Sequence, residues 1–372
     1  MKRALVYTFS ETLDNYGQVL QYLATQIFFE KSGVEASVLR ISPHKRNSLL
    51  VTLFKKILKA IVLFVNKFRF RETPLESFFK QAKRITIENE KAHPRFFEDF
   101  RKKYFKITTC SNLKTTPPLS DIYCVGSDQT WSWCGADNFL DFGPPSIRRI
   151  SLAPSFGAYT PREEHEWAQI KERLSKFDYI SVREPSGKAI CAKVGRNDVD
   201  VINDPTLLIE PDDLVRYEEP PTEMTEEYLF LYLLGNTTEG LNMKAIYDFA
   251  EREHLKVVYV ASQGRADNYP KMYATIPQWL YCLRHAKYVI TNSFHGTTLA
   301  ILFHRQFLVY RLAEPFSKMN ERVTFLLDTY FLSDRQFSGE IDRVKYCIDF
   351  NAVDCIRKDL TTKVHNQLSR YL

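Results

Sequence analysis

The residues best placed by type and spacing to do chemistry lie in one short run, AKYVITNSFHGTTLAILFH, at 286–304. Residues 287–291 are β-branched and aromatic and read as a short buried strand. Asn292, Ser293, Phe294 and His295 form a polar turn, and 296–303 read as an apolar helix. A strand that enters a helix through a tight turn leaves unpaired N–H groups at the helix start. Those groups and the positive end of the helix dipole favour an anion. His295 stands where its imidazole could act on that anion, with Asn292, Ser293 and Gly296 as neighbouring polar groups. A core histidine at a helix cap is the plainer alternative. The clustering of Asn, Ser, His and Gly at one junction favours a site, since ligands of open α/β sheets bind at the carboxyl ends of strands.

Other strand ends carry similar groups. A strand at 121–125 runs into Gly126, Ser127, Asp128, Gln129, Thr130 and Trp131. Asp128 suits binding a sugar hydroxyl or taking its proton, and Trp131 suits stacking on a sugar ring. The bland alternative is a Ser/Asp helix cap beside a buried Trp. A strand at 178–182 ends in Arg183 and Glu184. An arginine there could grip a carboxylate or phosphate bidentately, or be held by Glu184 as structure. Lys318 and Arg322 form a further basic group before a helix. Asp14, Asn15 and Gly17 follow the first strand, 4–9, and precede a helix at 18–31. That turn lacks a G-x-G-x-x-G pattern, so no dinucleotide is implied. A helix-capping turn is its alternative reading.

The elements that must position these groups alternate strand and helix, the pattern of doubly wound α/β domains. Further strands are expected at 36–41, 149–154, 198–202, 228–234, 256–261 and 307–310. Residues 209–227 are rich in Pro, Asp and Glu and read as a linker. The expected division is an N-terminal domain at 1–208, a C-terminal domain at 228–348, and a final helix at 349–372 crossing back to the first domain. With 372 residues the chain is long enough for two cores.

Hydrophobic content of 44% and charged content of 26% suit a soluble globular protein. The net charge of +6 suits anionic substrates, phospholipid headgroups or nucleic acid. No nucleic-acid motif appears, so that partner ranks last. The seven cysteines include no C-x-x-C pair. Neither a zinc site nor a disulfide framework is expected, and a reducing cytoplasm is the simpler setting. The N-terminus does not read as a signal peptide, and no apolar run reaches the length of a membrane span. One stretch breaks the α/β pattern. Residues 44–71 are basic and apolar with no acidic residue, and include Lys55, Lys56 and Lys59. On a helix they give an apolar face bordered by lysines, fit for an anionic membrane surface or equally for packing on the protein.

Taken together, these stretches resemble the polysaccharide pyruvyl transferase family. The matching segments are DNYGQVLQ at 14–21, GSDQTW at 126–131, SVRE at 181–184, NDPTLL at 203–208 and TNSFHGTTLAI at 291–301, with Arg322 and the following LLD. The resemblance implies two Rossmann-like domains facing a cleft, similar to the GT-B glycosyltransferases. It implies phosphoenolpyruvate as donor and no separate cofactor. The acceptor would be a hexose in a surface polysaccharide or its lipid-linked precursor, and the product a cyclic pyruvate ketal. On that reading His295 is the candidate general acid and Asp128 the candidate for acceptor binding or base work. Arg183, Arg322, Lys318, Ser293, Gly296 and Asn292 are expected on the donor. Asp14, Asn15, Gly17, Gln18, Gln129 and Trp131 are expected on the acceptor. A polyprenyl-diphosphate-linked acceptor would bring the enzyme to the inner membrane face, with Lys55, Lys56 and Lys59 as the contact. Two other functions remain open from sequence: a glycosyltransferase using a nucleotide sugar, and a non-catalytic polysaccharide- or membrane-binding protein.

Overall fold

A computed structural model describes residues 1–42, 74–132, 135–222, 224, 226–235, 241–314 and 316–372. The basic stretch with Lys55, Lys56 and Lys59 lies outside the described residues. Eleven strands are described: β1 (Lys2–Tyr7), β2 (Val34–Ile41), β3 (Ile107–Cys110), β4 (Ile122–Val125), β5 (Arg148–Ser151), β6 (Ile180–Val182), β7 (Val199–Val201), β8 (Tyr228–Tyr232), β9 (Lys256–Tyr259), β10 (Tyr288–Thr291) and β11 (Gln306–Val309).

The first sheet is parallel, in the order β3-β2-β1-β4-β5. A parallel bridge from Ile150 to Tyr179 joins it to the β6-β7 pair. The second sheet is also parallel, in the order β11-β10-β8-β9. Bridges at Val260–Met272 and Val309–Gln336 extend its two edges. Both sheets therefore share one winding, in which the chain moves outward from a central strand, returns, and moves out the other way. Ligands of such sheets bind where the order reverses. That point lies between β1 and β4 in the first sheet and between β8 and β10 in the second.

Two helices carry the groups of interest and are buried almost throughout. Tyr16–Lys31 buries every residue from Val19 to Phe29. Phe294–Leu302 buries all nine of its residues. A helix apolar all round belongs inside a core. Its buried amides are held by the fold: Gln21 donates to the Thr8 hydroxyl at 2.9 Å and Gln26 to the Tyr104 carbonyl at 3.1 Å.

One apolar cluster runs from Ala4 and Val6 of the first sheet to Phe230 of the second and Trp279 of the helix Ile276–Arg284. Tyr16 joins the two halves. Its ring stacks on Trp279 at 5.4 Å and its hydroxyl donates to the Ala274 carbonyl at 2.6 Å. The helix Phe350–Leu368 adds a second tie: Arg357 donates to the Ile209 carbonyl at 2.9 Å, and His365 stacks on Phe28 at 4.6 Å. Residues 209–227 are no free tether. Leu214 is fully buried, and Glu218 pairs with Arg284 at 3.2 Å. A cleft of about 870 Å³ opens between residues 156–193 on one side and 311–328 on the other.

Candidate functional site

The site is best built from Asp204, which follows β7. Its carboxylate oxygen Oδ1 accepts from the Thr206 N–H at 3.1 Å and the Thr206 hydroxyl at 2.8 Å. That is a capping arrangement, made easy by Pro205 at the first position of a short 3-10 turn. The other oxygen, Oδ2, accepts from the Ser127 hydroxyl at 2.6 Å and from Arg183 Nη1 at 3.2 Å. His295 Nε2 lies 3.6 Å from the same oxygen. One buried carboxylate thus gathers the ends of β4 and β6 and the first turn of the helix after β10. Burial pushes its pKa up, but His295, Arg183 and Ser127 outweigh burial and hold the group well below the usual carboxylate range.

Arg183 is almost wholly buried. Besides Asp204 it faces Asp128 at 3.9 Å and Glu184 at 3.6 Å. Its guanidinium carbon sits 4.4 Å from the centre of the Phe294 ring, and that of Arg322 sits 5.8 Å from the same ring. Phe294 is therefore a platform for two cations. Arg322 is also buried, and its pKa is pulled down to about 10 by burial and by the nearby Arg183. Glu184 is shifted upward by burial, only partly offset by Arg183 and by the Ser155 hydroxyl that donates to it at 2.6 Å.

Several polar atoms here are buried without a hydrogen bond: Arg183 Nε and Nη2, Glu184 Oε2 and His295 Nε2. All four sit in ion pairs of 3.6–3.9 Å, longer than a hydrogen bond, so the site holds polar capacity that its own geometry leaves unused. Among the described residues Arg322 donates a single long bond of 3.4 Å, to the Met319 carbonyl. Two buried guanidiniums above one ring and beside an imidazole have the chemistry to bind an anionic group.

The sequence-expected residues divide into those the structure brings together and those it does not. His295, Arg183, Arg322 and Asp128 converge. Asp128 is buried and holds a left-handed backbone, with φ 71°, at the end of β4. Gly17 also belongs here. A Cβ on Gly17 would lie 2.2 Å from His295 Nδ1, so the absence of a side chain is what admits the imidazole. Gly17→Ala is expected to displace His295, at about 1–3 kcal/mol of stability by overpacking. Urea unfolding read beside turnover checks this, and turnover should fall more than stability requires.

Trp131 is a correction. It is fully buried, stacks on Phe139 at 5.1 Å, and donates from Nε1 to the Asn138 carbonyl at 3.0 Å. It packs the core and offers no face to a sugar. Trp131→Ala should cost about 3–5 kcal/mol of stability, and a denaturant titration measures it. The apolar residues that follow in space, not the polar ones that precede it in sequence, decide its place. Asn292 is a second correction. Its side chain accepts from the Leu234 N–H at 2.6 Å and donates to the Leu234 carbonyl at 3.1 Å, tying β10 to the end of β8. The Ser293 hydroxyl caps its helix by accepting from the Gly296 N–H at 3.2 Å, so that donor is spent. Gly296 is needed for close packing, since a Cβ there would lie 2.7 Å from Thr291 Oγ1.

Asp14 is buried and accepts from the Thr86 hydroxyl, with Arg95 Nη2 at 3.8 Å. Burial raises its pKa despite these partners. Asn15 caps the helix Tyr16–Lys31 by accepting from the Gln18 N–H at 3.2 Å. Gln18 and Gln129 are half-buried, and Lys318 is exposed on the wall of the cleft. Sequence reasoning did not single out Asp204 or Phe294. The signal for Asp204 was present in the Asn-Asp-Pro-Thr end of its strand. For Phe294 there was none, because an apolar residue in a polar turn reads as packing.

Among the described residues no group of three or more His, Cys, Asp and Glu side chains is placed to hold a metal ion. No described helix is long and apolar enough to cross a membrane.

No curated protein matches the chain. Solved structures similar to it include UDP-GlcNAc 2-epimerase from Methanocaldococcus jannaschii, at 11% identity over 96% of this chain and 92% of that one, with a TM-score of 0.46. Another is UDP-GlcNAc 2-epimerase from Neisseria meningitidis bound to UDP-GlcNAc, at 11% identity over 98% and 100%, with a TM-score of 0.44. A third is the glycosyltransferase SnogD from Streptomyces nogalater, at 11% identity over 100% and 99%, with a TM-score of 0.43. The model of one family, polysaccharide pyruvyl transferase, matches residues 15–312, which is most of the sequence and holds the strand ends carrying Arg183, Asp204 and His295. The chain belongs to the polysaccharide pyruvyl transferase family and is a transferase.

Proposed function

We propose that the protein transfers the pyruvyl group of phosphoenolpyruvate to two hydroxyls of a hexose, forming a cyclic ketal. The hexose belongs to a surface polysaccharide or to its lipid-linked precursor. The observation that carries this reading is the pair of buried guanidiniums, Arg183 and Arg322, on Phe294, with Arg183 Nε and Nη2 making no hydrogen bond. The donor has one carboxylate and one phosphate. Charge-assisted bonds in a water-poor site suit both groups.

The chemistry asks for a proton on the methylene carbon of the donor, which makes C2 electrophilic. His295 supplies that proton, since imidazole serves proton transfer near neutrality. One acceptor hydroxyl adds to C2 and gives up its proton to a base, the role of Asp128. The C–O bond to phosphate then breaks, and phosphate leaves with the electron pair. The second hydroxyl adds at C2 and loses its proton, closing the ketal. Donor and diol together become ketal and inorganic phosphate, with no oxidant or reductant. Asp204 keeps His295 and Arg183 at one place throughout.

A lipid-linked acceptor would bring this reaction to the inner face of the cytoplasmic membrane. Incubation with phosphoenolpyruvate and isolated lipid-linked glycans tests the reading. Mass spectrometry should find glycan enlarged by one pyruvyl ketal, with one phosphate released per ketal. Release of phosphate without a mass change in any glycan would defeat it.

A further inference from the structure

Arg183 is outnumbered by acids. Asp204 stands 3.2 Å from its guanidinium, Glu184 3.6 Å and Asp128 3.9 Å. Arg322 feels the same three carboxylates. All five side chains are nearly sealed from water, none of these residues being more than 7% exposed. With the imidazole of His295 neutral, two guanidiniums meet three carboxylates, and the cluster carries one surplus negative charge. Like charges repel strongly away from water. A ligand with a carboxylate and a phosphate therefore enters at a high cost unless a resident acid is neutralised.

The three acids are not equally able to yield. Asp204 spends its two oxygens on the Thr206 N–H and hydroxyl, the Ser127 hydroxyl and Arg183, and is held ionised. Asp128 is the base of the proposed reaction and needs its charge. Glu184 is placed differently. One of its oxygens accepts from the Ser155 hydroxyl at 2.6 Å. The other, Oε2, is buried, makes no hydrogen bond, and faces Arg183 Nε at 3.6 Å. Groups from four elements bear on this carboxyl. Burial and Glu321, on the helix Asn320–Thr329, favour the neutral acid. Arg183 at the end of β6, Ser155 after β5 and Arg322 favour the charged form, and burial outweighs them. The N-terminus of its own helix, Pro185–Lys193, also favours the charge.

We infer that Glu184 takes up a proton as the donor binds, and so gives Arg183 Nε over to the donor. The inference rests on the donor reading given above. In the empty site the Glu184 carboxylate is a stand-in for the donor anion, lying against the same guanidinium. In the loaded site the neutral acid keeps its bond to Ser155 and the incoming anion replaces its charge. The proton comes from solvent on binding and returns when the site empties. Glu184 is thus a positioning residue, acting on the donor through Arg183.

The test is a pH profile of donor affinity. Phosphoenolpyruvate is titrated calorimetrically into the wild type, Glu184→Gln and Ser155→Ala at fixed ionic strength, from about pH 6 to about pH 9. The glutamine keeps an acceptor for Ser155 but cannot ionise. Ser155→Ala keeps the carboxylate and removes a hydrogen bond that favours its charged form. Only the protonated fraction binds, so wild-type affinity should fall by up to about tenfold per pH unit once Glu184 ionises. That fall should be absent from Glu184→Gln, leaving the trend set by the donor and His295, which the proteins share. Near pH 9 the variant should bind at least about tenfold more tightly than the wild type. In Ser155→Ala the fall should begin at a higher pH. The same profile in wild type and Glu184→Gln, or weaker binding by Glu184→Gln at every pH, overturns the inference. Should circular dichroism show Glu184→Gln unfolded, Ser155→Ala decides: a profile identical to the wild type overturns it. Saturable binding with the wrong profile leaves the donor reading standing, whereas no saturable binding by the wild type at any pH removes the donor reading and the inference with it.

Discussion

Replacing His295 by Ala is expected to lower phosphoenolpyruvate-dependent transfer by about 10²–10⁴-fold, the range for losing a positioned general acid. The expectation follows from where the imidazole is held. Its Nε2 edge lies 3.6 Å from Asp204, and its Nδ1 edge abuts Gly17 across the meeting of two buried helices. A ring fixed on both edges by groups from the first domain is positioned rather than merely packed. The substitution removes no main-chain hydrogen bond, because the cap of that helix is Ser293. The circular dichroism spectrum should stay unchanged while phosphate release falls. His295→Gln should be nearly as inactive, since an amide offers no proton near neutrality. Activity retained in either variant would remove His295 from the chemistry.

The second large effect is on stability. Asp204→Ala should cost about 3–5 kcal/mol, the usual consequence of stripping one partner from a buried ion pair. It leaves Arg183 Nη1 and the Thr206 N–H without their acceptor and hands the Ser127 hydroxyl to the Ala153 carbonyl at 3.1 Å. Asp204→Asn keeps the shape and the Thr206 cap but loses the charge, so its cost should be smaller. The pH dependence separates charge from shape. The folded-state pKa of Asp204 is depressed. Its stabilisation is therefore fully present above the unfolded value, about 3.9, and is lost as pH falls toward the folded value. The gap between wild type and Asp204→Asn in urea unfolding should be widest near neutrality and narrow below about pH 4. A gap that stays constant across this range would show that the carboxylate acts by shape alone.

Much of the frame was legible because each strand is a short β-branched or aromatic run stopped by polar residues. The strand expected at 287–291 differs from β10 by one residue at its start, and that expected at 307–310 is shifted by one residue from β11. β3 went unread, because three of the four residues of Ile107–Cys110 are threonine or cysteine and only its last residue is buried. The polar cluster was legible where charge meets a strand end, as at Arg183 and His295, which the fold brings together around Asp204. It was misread where polarity served the fold. Asn292 spends its amide on Leu234, Ser293 its hydroxyl on Gly296, and Asp14 its carboxylate on Thr86. A polar side chain at a strand end looks the same in sequence whether its partner is a ligand or the backbone of the next strand. Trp131 was misread for a related reason. Its neighbours Phe156 and Phe177 are distant in sequence, and only folding brings them around the indole.

The central claim is that Arg183 and Arg322, gathered over Phe294, receive a doubly anionic three-carbon donor. Calorimetric titration of phosphoenolpyruvate into the wild-type protein, Arg183→Gln and Arg322→Gln tests it most directly. Saturable binding by the wild type, weakened at least tenfold by each substitution and by added salt, is the result the account requires. No binding by the wild type, or equal affinity in all three proteins, would contradict it.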